Sequence, residues 1–326
     1  MKIKIAFLRP KYDACGYYRT YVPFRGLTEK GHLAYYDLPI KDIHKVDFLY
    51  FQRLVFTPGT IKARLNDMRK WKEQGKKIII DYDDNYFDLE KTNPVYNEYD
   101  EGTLDRIKEI IKLADAITTT VKPLAELFSK FHHNVHVLPN FIDVSTLSQR
   151  KADSKSLVVG WQGSVTHQED LKIIRSVINE LKSTVSFDFV LSGYRPEGYF
   201  KKSTYRKWQD FSPELTHYDL FRDFDIGLCP LQNTPFNICR SDIKFVEYSS
   251  LGIPTIASDI VTYNTIRQGE TGYLAHNQSD WRKYLIELIN DDEKRKKIGK
   301  NAKDYVIKER TIQSNIWIWE ELLGSL

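Results

Sequence analysis

The sequence predicts an α/β protein with two doubly wound layers of parallel strands. Short runs rich in β-branched and aromatic residues alternate with stretches of helical periodicity along the whole chain. At 326 residues the chain exceeds the usual size of a single core, so two domains are expected. The polar segment 145–156, rich in Ser, Lys and Asp, separates the two halves and is the predicted hinge.

Composition indicates an ordinary globular protein. Hydrophobic residues make up 41% of the chain, which is ample for two packed cores. The net charge of +4, with acids and bases interleaved, does not by itself indicate a nucleic-acid binder. Cys15, Cys229 and Cys239 are widely spaced, which argues against a disulfide framework or a zinc site. No stretch approaches the ~20 apolar residues of a membrane span, and we expect a cytoplasmic protein that is soluble or at most peripheral to a membrane.

The first half opens with the pattern of a Rossmann-like domain. Residues 3–8 form a β-branched and aromatic run, and a loop containing Gly16 and Arg19 then leads into a helical segment. A single glycine at such a place is most often a plain turn. Runs 46–51 and 77–81 predict the next strands, with an amphipathic helix between them.

A group of aspartates comes after the third of these strands, in the segment Asp81-Tyr-Asp-Asp-Asn-Tyr-Phe-Asp88. Carboxylates just past the carboxyl end of a parallel strand lie where such sheets form ligand sites. Their mutual repulsion favours a hydroxyl donor, a cation or a raised pKa. A turn with Asx caps explains Asp83 and Asp84 equally well.

The second half opens with a strand that ends in the loop Gly-Trp-Gln-Gly-Ser, which contains Gly163 and Ser164. The pattern predicts that their backbone amides lie at the N-terminus of the next helix and suit a diphosphate. His167 is within reach of the same place, although a lone histidine is more often a helix-start or surface residue.

The stretch 236–258 predicts a loop, a helix and a buried strand, with Gly252 as the left-handed end of the helix. Arg240, Lys244 and Glu247 are spaced by four and three residues, so one helix face is expected to carry all three. Two cations at the positive end of a helix dipole favour a bound anion such as phosphate. Glu247 would then accept hydrogen bonds from vicinal hydroxyls. The alternative is a solvated Lys/Glu pair on a surface helix.

This stretch resembles the nucleotide-sugar signature of GT-B glycosyltransferases, in particular glycosyltransferase family 4. In that family a helix carries the second glutamate of a Glu-x7-Glu motif, and Gly-x-Pro-x-Ile/Val-Ala-Ser comes after the helix. Glu247 matches the second glutamate, which in the family binds the donor ribose, whereas the first glutamate falls at Cys239. The glycine, proline, alanine and serine of the second part of the signature are matched by Gly252, Pro254, Ala257 and Ser258.

The resemblance implies the GT-B fold, an α/β architecture of two Rossmann-like domains that face each other across a cleft. It places an acceptor-binding domain at 1–150 and a nucleotide-sugar-binding domain at 151–308. A C-terminal helix at 309–326 would cross back to the first domain. The implied enzyme is a retaining glycosyltransferase that moves a sugar from a nucleotide-diphosphate sugar to an acceptor hydroxyl, without a metal or other cofactor.

The resemblance also implies roles for particular residues. Many family 4 members have an Arg and a Lys just after the first strand of the second domain; this sequence lacks them, which makes Arg240 and Lys244 the expected substitutes. The expected donor-binding residues are Gly16, Gly163, Ser164, Arg240, Lys244 and Glu247. The expected catalytic residues are Asp83, Asp84, Arg240 and Lys244. The expected acceptor-side residues are Arg19, Asp83 and Asp84, because the segments around them resemble those of a subset of the family.

The acceptor stays open at this point. A glycan, in surface polysaccharide synthesis, or a lipid-linked sugar is the commonest acceptor in the family. A hydroxymethylated base in DNA is the alternative, supported only by the basic, aromatic segment 199–208, which is more simply a solvated loop or insertion. The missing glutamate at Cys239 favours a third possibility, a catalytically silent protein that binds a sugar nucleotide or glycan. An epimerase of the same fold ranks last, since it needs a pair of carboxylates that the sequence lacks.

Overall fold

The computed structural model describes residues 2–8, 13–147, 150, 156–207 and 217–326, and these form two compact units. Unit 1 contains Met1–Asp143, Cys239–Ser241 and Ile312–Leu326. Unit 2 contains Val144–Ile238 and Asp242–Thr311. The predicted hinge at 145–156 falls partly on 148–149 and 151–155, which lie outside the described residues.

Unit 1 is built on a parallel sheet of six strands in the order β2-β1-β3-β4-β5-β6. Its strands are β1 (Lys4–Leu8), β2 (Leu33–Tyr36), β3 (Phe48–Gln52), β4 (Lys77–Asp81), β5 (Ala116–Thr119) and β6 (Val135–Val137). The central strands β3 and β5 are buried along their whole length. Buried parallel strands read as continuous apolar runs, which is why the sequence predicted them.

Helices connect these strands as the predicted alternation requires. They are α1 (Ala14–Gly16), α2 (Val22–Glu29), α3 (Ile61–Glu73), α4 (Glu101–Ile111) and α5 (Lys122–Phe128), with a π-helical turn (Tyr17–Tyr21) between the first two. The apolar positions Ile61, Leu65 and Met68 of α3 are buried, as their spacing predicted.

Unit 2 repeats the architecture with a second parallel sheet in the order β12-β11-β10-β7-β8-β9. Its strands are β7 (Val158–Gln162), β8 (Asp188–Gly193), β9 (Ser203–Lys207), β10 (Ile226–Cys229), β11 (Thr255–Ser258) and β12 (Tyr273–Ala275). The expectation of a solvated loop at 199–208 is wrong for 203–207, which pair with β8 as the edge strand β9. Trp208 lies outside the described residues.

The helices of unit 2 are α6 (Lys172–Thr184), α7 (Ile243–Ser250), α8 (Gln278–Asn290) and α9 (Asp292–Glu309). Gly252 ends α7 with φ of 72°, the left-handed conformation that the sequence predicted. Gly299 lets α9 approach this end closely, because a Cβ there would lie 2.1 Å from the Gly252 carbonyl oxygen.

The last segment of the chain packs within unit 1 as α10 (Ile312–Asn315) and α11 (Trp317–Ser325). Trp319 is buried, with its ring centroid 5.2 Å from that of Tyr50 and 5.9 Å from that of Phe7. Gly26 of α2 makes room for Ile312, since a Cβ on Gly26 would lie 2.6 Å from the Ile312 side chain. This packing accounts for the apolar character of a segment that ends the chain.

Two further findings concern the cysteines and the helices. Cys15, Cys229 and Cys239 are free thiols. Among the residues that the structure describes, no helix combines the length and apolar character needed to cross a membrane.

Candidate functional site

The strand order of unit 2 creates a crevice at the carboxyl edge of its sheet. The chain continues from β7 to β8 on one side, whereas β10 pairs with β7 on the other side. β7 and β10 are neighbouring strands, and the loops after them lead to opposite sides of the sheet. In doubly wound sheets, ligands bind in the crevice at such a switch point.

Helix α7, which comes after β10, is fixed against the sheet at this crevice by Tyr248. A Cβ on Gly227 of β10 would lie 2.3 Å from the Tyr248 ring, so only glycine allows this approach. The Tyr248 hydroxyl accepts a hydrogen bond of 3.0 Å from the backbone N–H of Gln162, the last residue of β7. Burial raises the pKa of Tyr248, which keeps the hydroxyl protonated.

Glu247, the predicted ribose ligand, is buried with 2% of its surface exposed. The side-chain amide of Gln162 donates a hydrogen bond of 2.6 Å to Glu247 Oε2. Gln162 thus binds two successive residues of α7, one through its backbone and one through its side chain. The carboxylate is therefore held in a fixed position beside the loop after β7.

Lys244 lies one turn before Glu247 on α7, so the two share a face, as their spacing predicted. Lys244 Nζ is 2.7 Å from His167 Nε2, and His167 Nδ1 is 2.8 Å from Asp170 Oδ2. His167 is 5% exposed and ends the 3-10 turn Val165–His167. The expectation of a helix-start or surface histidine is wrong, because the ring is buried between a lysine and an aspartate.

The loop after β7 differs from the prediction in one respect. Ser164 precedes the 3-10 turn, and α6 begins only at Lys172, so the amides of Gly163 and Ser164 do not lie at the N-terminus of that helix. The Gly163 N–H already donates to the Ser192 carbonyl at 3.0 Å. Glycine is required at 163 because a Cβ would lie 2.6 Å from the Trp161 ring.

Arg240 is not on the face of α7 that the sequence predicted. The helix begins at Ile243, and Arg240 lies before it, within unit 1. Its Nε is 3.7 Å from Asp84 Oδ1. Asp242 occupies the N-cap position, but its side chain accepts from Arg310 and Thr265 instead of capping the helix.

Asp83 and Asp84 of unit 1 lie together, and both accept hydrogen bonds from Arg53. Arg53 Nη2 is 2.9 Å from Asp83 Oδ2 and 2.8 Å from Asp84 Oδ2, and Arg53 Nε also donates to Asp83. Burial would raise the pKa of Asp83, but the Arg53 charge and hydrogen bonds outweigh burial and lower it. The two carboxylates are therefore charge-compensated within unit 1.

Arg53 adopts an uncommon backbone conformation directly after β3. Its φ is 48°, in the left-handed region that non-glycine residues rarely occupy. The Arg53 N–H donates to the Asp81 carbonyl at 2.8 Å, and the side chain is held by Asp83 and Asp84. Strained residues of this kind cluster at functional sites, which favours a role for this end of the sheet.

Arg19, predicted on the acceptor side, is 1% exposed and belongs to the interior of unit 1. Its guanidinium forms a bidentate ion pair with Asp81, with distances of 2.6 and 3.1 Å, and also donates to the Leu138 carbonyl and to Asn140. The Gly16 N–H donates to Asp13 Oδ1, which caps α1. Gly16 therefore takes part in the cap of α1, and Arg19 links the π-helical turn to Asp81, Leu138 and Asn140.

Cys239, at the position of the family's first glutamate, lies in unit 1. Burial raises its pKa to about 11, so the thiol is neutral near pH 7. The charges of Asp88, Asp84 and Glu126 contribute to this rise, and a hydrogen bond with Asn85 opposes it. A glutamate at 239 would add a negative charge to a neighbourhood that is already acidic.

The described parts of the chain contain no group of three or more His, Cys, Asp or Glu side chains arranged to hold a metal ion. Asp83 and Asp84, the aspartates for which a cation was one option, instead share the guanidinium of Arg53.

Each of the two units is built on a doubly wound parallel sheet, and the second has a polar crevice at its switch point. This architecture defines the GT-B class of fold. Residues 220–305 match the family described as Glycosyl transferases group 1. This match covers most of the segment from β10 to α9, which lies within unit 2 except for Cys239–Ser241. No curated protein sequence matches the chain.

Solved structures show the same fold. A sucrose-phosphate synthase from Thermosynechococcus elongatus superposes with a TM-score of 0.67 at 11% identity, over 100% of both chains. HepE from Anabaena gives 0.65 at 13% identity, over 99% of this chain and 100% of its own. TarM from S. aureus gives 0.62 at 14% identity, over 85% of this chain and 55% of its own. At these identities the likeness establishes the GT-B fold alone.

Sequence reasoning missed several residues that hold the site together. The sequence analysis places Gln162 only in a loop motif. Its position as a polar residue at the end of the buried strand β7 is the signal that could have identified it. Asp170 comes three residues after His167, a spacing at which side chains in consecutive turns meet. Arg53 gave no local signal, because its partners lie 30 and 31 residues further along the chain.

Proposed function

We propose that the chain is a retaining glycosyltransferase that uses a nucleotide-diphosphate sugar, and that α7 with the loop after β7 holds the donor. The observation that carries this proposal is the pair formed by Lys244 and the buried Glu247 on one face of α7. Lys244 contacts His167 in the loop after β7, and Glu247 accepts a hydrogen bond from Gln162 at the end of β7. A solvated Lys/Glu pair on a surface helix would have neither a buried glutamate nor these two partners.

The charges of this pair suit the two ends of a nucleotide diphosphate. Lys244 would bind the diphosphate, together with the backbone of Ser164. Glu247 would accept hydrogen bonds from the ribose hydroxyls, which are donors that a carboxylate prefers. As the sugar leaves, negative charge grows on the diphosphate, and a fixed ammonium there stabilises the transition state.

Two of the similar structures suggest which nucleotide to test first. HepE was solved with UDP and glucose, and TarM with UDP. We therefore propose a uridine diphosphate sugar as the donor, and a sugar hydroxyl of a glycan or lipid-linked saccharide as the acceptor.

In unit 1, Asp83 and Asp84 are the proposed acceptor-side residues, and Arg240 beside Asp84 belongs with them. With its pKa lowered, Asp83 is a hydrogen-bond acceptor for an incoming hydroxyl rather than a strong general base. Since both carboxylates already bind Arg53, we also propose that transfer requires no metal, and that EDTA leaves the rate unchanged.

A modified base in DNA is a weaker candidate acceptor. It depended on the basic segment 199–208, of which 203–207 form an edge strand. Arg206, one of its cations, forms a bidentate ion pair with Asp223 at 2.6 Å for both contacts. A cytoplasmic location agrees with the three free thiols, since reduced cysteines are typical of that compartment.

The test is a panel of nucleotide sugars, with and without saccharide acceptors, and then NMR of the product. The proposal predicts transfer by the wild type with the α-anomeric configuration of an α-linked donor retained. It also predicts that Lys244→Ala and Glu247→Ala each lose at least about 90% of the activity, while the exposed Lys297→Ala does not. Donor binding without hydrolysis or transfer would instead support the silent binding protein.

A further inference from the structure

The loop after β7 contributes a histidine and an aspartate that reach toward α7. His167 Nε2 lies 2.7 Å from Lys244 Nζ, and His167 Nδ1 lies 2.8 Å from Asp170 Oδ2. The His167 side chain is 6% exposed and that of Asp170 is 3% exposed. Such short contacts, made by two buried side chains and the part-buried Lys244, fix the positions of all three side chains.

The partners determine which nitrogen of His167 carries the proton. An ionised carboxylate only accepts hydrogen bonds, so Nδ1 must donate to Asp170. In the neutral ring Nε2 is then an acceptor, and the Lys244 ammonium, which only donates, binds to it. The opposite tautomer would place an N–H against an ammonium.

Asp170 is itself held by the loop after β10. Its Oδ1 accepts from the Gln232 backbone N–H at 2.8 Å and from the Asn237 side-chain amide at 2.9 Å. Asp170 therefore links the loop after β10 to the ring of His167. Its two oxygens have separate partners, which leaves little freedom for the carboxylate to turn.

We propose that His167 and Asp170 are positioning residues for the donor diphosphate, which act by holding the ammonium of Lys244 in place. This inference rests on the proposed function, because it assumes that Lys244 binds the diphosphate. It also explains why a lysine on α7 can supply the positive charge for the diphosphate. The loop after β7 supplies the hydrogen-bond acceptor, His167 Nε2, that holds this lysine in place.

The test compares UDP affinity by calorimetry in the wild type, Lys244→Ala, His167→Leu, His167→Gln and Asp170→Asn. In Asp170→Asn the amide would donate to Nδ1 and move the ring proton to Nε2, against Lys244. We expect this variant and His167→Leu to bind UDP about 10–100-fold more weakly. His167→Gln, whose carbonyl oxygen replaces Nε2 as an acceptor, is expected to stay within about threefold of the wild type.

A second readout separates positioning from general damage. Long-range 1H–15N spectra should show the Nδ1–H tautomer of His167 in the wild type and the Nε2–H tautomer in Asp170→Asn. His276 and Asp259 supply the matched control, because they form a similar pair of 2.9 Å whose side chains are 77% and 46% exposed. His276→Leu and Asp259→Asn should leave UDP affinity unchanged.

The outcomes are distinguishable. If Lys244→Ala loses UDP while His167→Leu and Asp170→Asn bind like the wild type, the positioning role is wrong and the donor site stands. A wild type that binds no nucleotide overturns the proposed function and this inference with it. Should Asp170→Asn fail to fold, the contrast between His167→Gln and His167→Leu still decides, and equal affinities in that pair contradict the inference.

Discussion

Arg53 donates hydrogen bonds to the carboxylates of both Asp83 and Asp84, at the carboxyl edge of the sheet in unit 1. The guanidinium thus reduces the repulsion between two carboxylates that lie close together. It does so from a left-handed backbone position with φ of 48°. The pair is therefore preorganised to accept hydrogen bonds, which is the role proposed for it.

The lowered pKa of Asp83 makes its contribution to stability pH-dependent. Because the folded-state pKa lies below that of the unfolded chain, the contribution is present above about pH 3.9 and is lost as the pH falls through the folded-state value. We expect Asp83→Asn to lower the free energy of unfolding by about 1–3 kcal/mol at pH 7. Urea titrations at pH 7 and pH 3.5 should show that the difference from the wild type narrows at the lower pH.

If the free energies of unfolding of Asp83→Asn and the wild type differed by the same amount at both pH values, the assigned role of the Asp83 charge would be wrong. The control is Asp304→Asn, on an exposed pair with Lys300, which should change stability little at either pH.

The ion pair of Arg19 and Asp81 is expected to stabilise unit 1 only while both partners are present. The side chains are 1% and 0% exposed, so loss of one partner leaves a buried charge without compensation. Arg19→Met should cost about 3–5 kcal/mol in urea unfolding, and Arg19→Met with Asp81→Leu should recover part of that loss. A single variant as stable as the wild type would show that the pair is not structural.

Much of the fold and part of the site could be predicted from the sequence. The buried parallel strands were visible as apolar runs, and the shared face of Lys244 and Glu247 was visible as a spacing of three residues. Arg240 was misplaced because α7 starts three residues later than the spacing assumed, and helix boundaries depend on tertiary contacts such as that of Asp242 with Arg310.

The remaining site contacts could not be read locally. His167 and Lys244 are 77 residues apart, and Gln162 and Glu247 are 85 apart, so each pair meets only when β7 and β10 become neighbours. The sequence indicates each residue type, whereas the strand order decides which of them meet. This order is set by chain crossovers that leave no local signal.

Two glycines in helices allow a matched test of the packing that supports α7. In Gly299→Ala the new Cβ would lie 2.1 Å from a backbone oxygen of Gly252, whereas Gly324→Ala in α11 meets nothing within 4 Å. We expect Gly299→Ala to destabilise the protein by about 1–3 kcal/mol, since a backbone atom must shift. Gly324→Ala should be neutral or stabilising by up to about 1 kcal/mol. Equal melting temperatures for the two variants would contradict the close approach of α9.

The two tryptophans of α11 offer a second matched pair. Trp319 is 2% exposed against Phe7 and Tyr50, whereas Trp317 is 55% exposed. Trp319→Ala should cost about 3–5 kcal/mol because it leaves a cavity, and Trp317→Ala should cost less than about 1 kcal/mol. Chemical unfolding of both variants checks this, and a similar loss in both would mean that α11 does not pack on unit 1 through Trp319.

The proposed activity depends on binding of a nucleotide-diphosphate sugar by α7 and the loop after β7. Calorimetric titration of UDP and UDP-glucose into the wild type, Lys244→Ala, Glu247→Gln and Lys297→Ala measures this binding without assuming an acceptor. We expect saturable binding to the wild type and to Lys297→Ala, with affinity at least about tenfold weaker in the other two variants. Binding that is equally strong in all four proteins would place the nucleotide elsewhere and show that α7 does not hold the donor.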